Sequence, residues 1–234
     1  MKPPLIYIVL PAFQAQATLA MTVGEIPAKL KCKLLLVDDG SDDRTADIAR
    51  DLGLEVIEHS SNRGYGANQK TCYQGALDRG ADIVVMLHPD HQYDARAIPA
   101  MVNMIESGRA DVVLGSRFLG ANASTGAMPW WRRLGNIVLT GIENRTLGLF
   151  LSEYHSGLRA YSANALRALP FEFFDDGFAF DQQLLIMAAR SGITIGEVPA
   201  RARYFVGASS ISFQDAVSYG LRTLTSLATI RGNK

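Results

Sequence analysis

The chain has only two cysteines, Cys32 and Cys72, and neither belongs to a CxxC pair or to a Cys/His cluster of zinc-finger spacing. That excludes a disulfide scaffold and a zinc-finger core, and it fits a reducing compartment. Long apolar runs are missing as well. No stretch reaches the ~18 consecutive apolar residues that span a bilayer. The N-terminal MKPPLIYIVLP has one lysine, six apolar residues before Pro11 and no small-residue cleavage site, so it reads as a first strand and not as a secretion signal. Excess charge is a third absence. Lys plus Arg and Asp plus Glu each number 23, so the surface as a whole does not attract nucleic acid, and any anion must be met by a local patch. No GxGxxG follows the first strand, where the chain reads PAFQAQ, which argues against a dinucleotide fold. GYGANQKT at 64–71 approaches the phosphate-loop pattern, but Gln69 stands where a glycine should let the backbone wrap a phosphate.

What the chain does have is a regular alternation. Short apolar runs at 5–10, 33–39, 54–59, 82–87 and 111–116 alternate with stretches of helical length. This is the βαβ pattern of an α/β fold, a mostly parallel sheet with helices on both faces. SDDRTADIARDLG shows both ends of one helix, with Ser41 or Asp42 as N-cap and Gly53 as C-cap. After Arg117 the regularity fades. LGANASTGAMPW, 119–130, reads as a mobile loop able to close over a site; helical patterns follow at 129–149 and 178–191, then a strand, ITIGEVP. The last stretch, FQDAVSYGLRTLTSLATI, places Phe213, Val217, Leu221, Leu224 and Ala228 on one helical face. That face is expected to pack on its own domain, with a membrane surface as the alternative. No repeat, low-complexity tract or linker interrupts the chain, so residues 1–234 read as one domain.

Sheets of this kind bind ligands beyond the carboxyl ends of their strands, where DDGSDD, SNRGYGAN, HPDHQYD and GSRF all fall. In VVMLHPDHQYD, 84–94, His88, Asp90 and Gln92 alternate, and in an extended chain they point to one side. They form either a divalent-cation site or the polar loop that follows any strand. LLLVDDG ends a strand on Asp38 and Asp39, acceptor-only groups suited to a ribose or a base edge; with Asp90 on the same rim, a diphosphate needs a metal before it can approach. Gly64 and Gly66 mark a tight turn into a helix whose N-terminus can face an anion.

The ordered segments VLPAFQAQATL, LLLVDDGSDDRT, NRGYGANQKTCYQGAL, VVMLHPDHQYD, VVLGSRF, SEYHSGLRAYS, GFAFDQQLL and IGEVPARARYF resemble glycosyltransferase family 2, the inverting GT-A transferases. Within it the resemblance is to the polyprenyl-phosphate (dolichyl-phosphate) hexose transferase branch, over about residues 5–210. The resemblance implies a GT-A-type nucleotide-diphospho-sugar fold, with about 1–116 as the nucleotide-sugar-binding half and about 117–234 as the acceptor half carrying the C-terminal amphipathic helix. It assigns Pro11, Ala12, Phe13, Asp38, Asp39, Asn62, Gly64 and Gly66 to the nucleotide pocket. The family's Asp-x-Asp, often followed by x-Gln, binds Mg²⁺ or Mn²⁺ and the donor diphosphate. Here it reads His88-Pro89-Asp90-His91-Gln92, which implies metal ligands Asp90, Gln92 and His88, donor contact by Pro89 and Asp90, and catalysis by Asp90 through the metal. The neutral nitrogen of His88 favours Mn²⁺ over Mg²⁺. Relatives usually read close to PAYNE in the first segment; Phe13 and Ala15 depart from it and leave GDP or UDP open.

The acceptor half has a charge pattern of its own. Residues 116–159 include five arginines, no lysine and only Glu143 and Glu153 as acids. By the resemblance, Arg117, Arg132, Arg133, Arg159 and Arg203 receive an anionic lipid phosphate, a role that suits Arg forks; surface solvation is the alternative for some of them. Trp130 and Trp131 suit either a lipid interface or the core. If the acceptor is instead a sugar hydroxyl, Asp181 is the candidate general base. The expected protein is thus a cytoplasmic hexosyltransferase at the inner face of the membrane, with peripheral lipid contact, no nucleic-acid partner and a homodimer as one assembly. A hydroxyl-acceptor transferase and a non-catalytic nucleotide-sugar-binding protein are the alternatives.

Overall fold

The computed structural model describes residues 3–120, 128–203 and 213–230. Seven strands, β1 (Ile6–Ala12), β2 (Cys32–Asp38), β3 (Glu55–Glu58), β4 (Ile83–Met86), β5 (Val112–Ser116), β6 (Arg159–Ser162) and β7 (Ile195–Pro199), form one sheet in the order β3-β2-β1-β4-β6-β5-β7. β1 pairs in parallel with β2 and β4, β2 with β3, and β5 with β7. β6 alone runs antiparallel, between β4 and β5, with Ala160 opposite both Val85 and Val113. The five strands of the apolar rhythm appear within a few residues of their expected places. β6 does not announce itself, because RAYS is short and two of its four residues are polar.

Both faces of the sheet are covered, so its central strands are apolar throughout. All seven residues of β1 are buried. Tyr7 and Val9 join a core with Tyr73 of α3 (Tyr65–Asp78) and Phe180 and Leu184 of α7 (Phe180–Arg190). Ile6, Ile8 and Leu10 alternate to the other face, against Leu19 of α1 (Leu19–Gly24) and Ile98 and Met101 of α4 (Ile98–Glu106). α2 (Thr45–Asp51) ends as expected: Gly53 is left-handed at φ 78°, and the Gly53 and Leu54 N–H groups return to the carbonyls of Arg50 and Ala49. Its start differs, since Asp43, and neither Ser41 nor Asp42, accepts from the Thr45 N–H at 2.9 Å.

In the second half, α5 (Trp130–Leu147), the short α6 (Ala163–Ala168) and α8 (Phe213–Thr229) complete the fold. Residues 121–127 of the expected loop and the side chain of Phe213 lie outside the described residues. α8 reverses its expected orientation. Thr223, Ser226 and Leu227 are buried, whereas Val217, Leu221, Leu224 and Ala228 face outward. The physical reason lies beneath the helix, where polar groups wait for hydroxyls: the Tyr219 hydroxyl meets His155 Nδ1 at 3.0 Å and the Gln182 amide at 2.6 Å.

Candidate active site

The carboxyl ends of β1, β2 and β4 open onto one rim. At its floor Asn68 of α3 donates to the carbonyls of Ala12 and Val37, which fixes the ends of β1 and β2 side by side. Pro11 and Ala12 are buried there and Phe13 projects half exposed. Asp38 and Asp39 are both buried, and their bonds run inward. Asp38 accepts from the Ser41 hydroxyl and N–H. Asp39 accepts from the N–H groups of Arg63 at 2.9 Å and Gly64 at 3.0 Å and lies 2.6 Å from His59 Nδ1. Asp39 therefore shapes the loop that carries Asn62, itself closed by a bond from the Gly64 N–H to Asn62 Oδ1, while Asp38 holds the turn at Ser41. Gly64 is required by its φ of 100°. Gly66 is required by proximity: a Cβ there would lie 2.4 Å from the Asp175 carbonyl oxygen. The Gly66 and Ala67 N–H groups are already taken by the Asp176 carbonyl, so the start of α3 does not present them to an anion.

The loop after β4 is held at several points. Pro89 is buried and its carbonyl accepts from the Thr18 hydroxyl at 2.6 Å. Asp90 Oδ1 accepts from the Gln92 N–H at 3.0 Å across His91, whose φ is 57°. His88 turns away from this loop. Its ring stacks on Tyr65 with centroids 5.5 Å apart, and its Nε2 lies 3.1 Å from the Tyr65 hydroxyl. That hydroxyl donates to Asp181 Oδ2 at 2.6 Å. Having spent its proton, it can only accept from His88 Nε2–H, which leaves the lone pair of a neutral imidazole on Nδ1. Burial and the adjacent Asp181 carboxylate push the Tyr65 phenol well above its ordinary range. Gly157 presses on the other side of the imidazole, where a Cβ would lie 2.8 Å from His88 Cδ2. Among the described residues no three His, Cys, Asp or Glu side chains gather into a ready ion site.

The arginines do not form one patch. Arg159 is fully buried and donates to the carbonyls of Ser156, Asp181 and Tyr154 at 2.7–3.0 Å. Burial is the largest single influence and opposes its charge, but the Asp181 carboxylate, 3.9 Å away, together with Tyr161, Tyr219 and Tyr73 outweighs it and shifts it upward. This corrects its expected place among acceptor-binding groups, since every nitrogen of its fork is committed to the scaffold. Arg117 forms a two-point pair with the fully buried Glu153, at 3.1 and 2.6 Å, and reaches the His155 carbonyl. Arg203 donates to Glu25 at 2.8 Å. Arg132 lies over the Trp131 ring at 5.0 Å, and Arg133 is exposed on α5. Trp130 is exposed, not core. Sequence reasoning missed Tyr65, Glu153, Gln182 and Tyr219, because each is defined by a partner distant in the chain. Tyr65, Glu153 and Gln182 lay inside segments already singled out, but residue type alone did not reveal the partners that define their roles.

The rim and the strand order define a nucleotide-sugar transferase architecture, and comparison with known proteins gives the family. Residues 7–169 match the family described as Glycosyl transferase family 2; the chain belongs to it. It is 28% identical over 221 residues to the UDP-N-acetylglucosamine–dolichyl-phosphate N-acetylglucosaminyltransferase of Methanococcus voltae, covering 87% of this chain and 88% of that one. It is 33% identical over 173 residues to the dolichyl-phosphate hexose transferase of Haloferax volcanii, covering 74% and 71%. In fold it is similar to the glucosyl-3-phosphoglycerate synthase of Mycobacterium tuberculosis, solved with Mn²⁺, UDP and phosphoglyceric acid, with a TM-score of 0.71 at 20% identity over 97% of this chain and 78% of that one. The GT-A expectation is thus met in family and in fold.

Proposed function

We propose that this chain transfers a hexose, with inversion, from a UDP- or GDP-linked donor to the phosphate of a polyprenol at the cytoplasmic face of a membrane. The observation that carries the choice of acceptor is the state of Asp181. Its Oδ2 is occupied by Tyr65, its Oδ1 is buried, and the whole residue is 7% exposed. A sugar hydroxyl needs a reachable base to take its proton, whereas a phosphate arrives ionised and needs none. The names of the two dolichyl-phosphate relatives point the same way.

The chemistry of the loop after β4 suits a divalent cation shared with the donor diphosphate. Asp90 would offer a carboxylate and Gln92 an amide oxygen, with remaining positions open to phosphate oxygens; His88, stacked on Tyr65, would join them through Nδ1 only after its ring turns toward the loop, and a nitrogen in the set favours Mn²⁺ over Mg²⁺. Such a cation, when bound, neutralises charge growing on the departing diphosphate. The protein's own part is positional. Pro11, Ala12 and Phe13 border the base, the Asn62–Gly66 turn borders the ribose and Pro89 fixes the height of Asp90. Arg133 is exposed in the first turn of α5, with the half-buried Arg132 beside it against Trp131, a pair suited to the incoming phosphate.

Incubation with radiolabelled UDP- and GDP-hexoses, Mn²⁺ and either polyprenyl phosphate or free glycans tests the reading. Label moving to the lipid phosphate is the expected result; label moving only to glycans makes the hydroxyl-acceptor alternative correct. Donor bound without turnover makes the chain a binding protein. Asp90→Ala is expected to abolish the Mn²⁺-dependent part of donor binding while leaving the chain folded, since a partly exposed loop side chain contributes little to the core and its bond to the Gln92 N–H is worth only about 1 kcal/mol.

A further inference from the structure

We propose that Glu25 is a positioning residue of the transferase: through Arg203 and His91 it holds the turn that carries Asp90 and Gln92. This rests on the donor diphosphate and its cation being met by the loop after β4, and it names the residue that keeps that loop in shape.

His91 is where the loop is strained. Its φ is 57°, and among the described residues the other non-glycine with a positive φ is Gln14. The left-handed region is unfavourable for a residue with a β-carbon and persists where the surroundings over-determine it. His91 stands between Asp90 and Gln92, so its turn sets how those two side chains are spaced. The bond from the Gln92 N–H to Asp90 Oδ1 spans the turn at 3.0 Å, but it draws on the same carboxylate that is offered to the cation. The turn therefore needs a hold that donor binding does not compete for.

Helix α1 supplies it from both ends. Ahead of its first residue, the Thr18 hydroxyl donates to the Pro89 carbonyl at 2.6 Å. Past its last residue, Glu25 accepts from Arg203 Nη1 at 2.8 Å and lies 3.8 Å from His91 Nε2. Arg203 Nη1 is also 3.4 Å from His91 Nε2. One guanidinium nitrogen of this kind carries two hydrogens, so it serves the carboxylate and the imidazole together. The backbone around the same arginine joins the loop as well. The Arg203 N–H donates to the Gln92 carbonyl at 2.7 Å, the Asp94 N–H reaches the Arg201 carbonyl at 3.1 Å, and Tyr93 bridges Ala202. Glu25 thus fixes a side chain whose backbone is already stitched to the turn.

Charge singles out Glu25. Asp94, another carboxylate that Arg203 acts on, is committed to Arg96 at 2.7 and 2.9 Å. The Glu25 and Arg203 side chains are 26% and 33% exposed, and an ion pair so open to solvent adds little to global stability. Its effect is expected on the loop and not on the fold.

Two measurements on the full chain test this. Amide exchange over residues 88–94 in the ligand-free protein is expected to quicken about tenfold in E25A, with the melting temperature nearly unchanged. Titration calorimetry with UDP and with GDP should show the Mn²⁺-dependent part of the affinity falling about tenfold and the part that survives chelator unchanged. Glycine takes a left-handed turn without strain, so E25A/H91G should regain most of both losses. An E25A loop that exchanges like the parent's overturns the proposal. So does faster exchange with unchanged affinity, which would make Glu25 structural only, or a loss that H91G does not restore. No acceptor enters either measurement, so a wrong choice of acceptor leaves Glu25 in place. A parent chain that binds neither nucleotide in Mn²⁺, with exchange responding as expected, would overturn the donor reading and Glu25's part in transfer while leaving the hold on the loop standing.

Discussion

The Tyr65 hydroxyl donates to Asp181 Oδ2 at 2.6 Å and so joins the first turn of α3 to the first turn of α7 beneath His88. A double-mutant cycle measures the link. Tyr65→Phe and Asp181→Ala are each expected to lower stability by about 1–3 kcal/mol, because each leaves a buried polar atom without its partner. The double variant should lose less than the sum. Additive losses in urea denaturation would mean that the two groups do not interact.

Gly157→Ala is a probe of His88 that leaves the imidazole itself in place. The added methyl would stand 2.8 Å from Cδ2 and 2.9 Å from Nε2, so the ring must shift from Tyr65. Overpacking of this kind costs about 1–3 kcal/mol. The Mn²⁺-dependent part of donor affinity, read by titration calorimetry with and without chelator, should fall about tenfold. If only stability changes, His88 is not a metal ligand.

Arg117→Ala should be among the most damaging changes in the acceptor half. It strands Glu153, which is fully buried, and breaking one side of a buried pair costs about 3–5 kcal/mol. Adding Glu153→Gln removes the stranded charge and should recover part of the loss. A stable Arg117→Ala protein with a raised acceptor KM would instead restore Arg117 to acceptor binding.

Asp43 carries a pH signature. Burial tends to raise its pKa, but hydrogen bonds from the Thr45 hydroxyl and N–H and the Gln16 N–H prevail and hold it below the usual carboxylate value. Its folded pKa is depressed, so its contribution is present above the unfolded value near ~3.9 and fades as pH falls through the folded one. Asp43→Asn should therefore melt below the parent at pH 7, and the gap should close as pH falls below about 4. A gap that stays constant down to pH 3 would remove Asp43 from that role.

The fold of the first half of the chain was legible because its information is local. Apolar runs of strand length fix five strands, Gly53 terminates α2, and HPDHQ identifies the loop after β4 by residue type alone. The second half was not. Arg159 reads as a cation on a loop, yet it is buried because three carbonyls and one carboxylate converge on it from segments up to 22 residues away. The apolar stripe of α8 was read correctly as a stripe and placed on the wrong side, since hydrophobic periodicity reports that a face exists and not which phase it meets. Tyr219 settles the orientation through bonds to His155 and Gln182, residues 64 and 37 positions away.

The antiparallel strand β6 has a mechanical consequence. It comes from the second half of the chain but is laced between β4 and β5 of the first. Two lobes sharing a central strand cannot swing apart like jaws without tearing backbone hydrogen bonds on both sides of it. The two halves of the chain are thus locked into one frame, and motion within it is left to the loops at the rim.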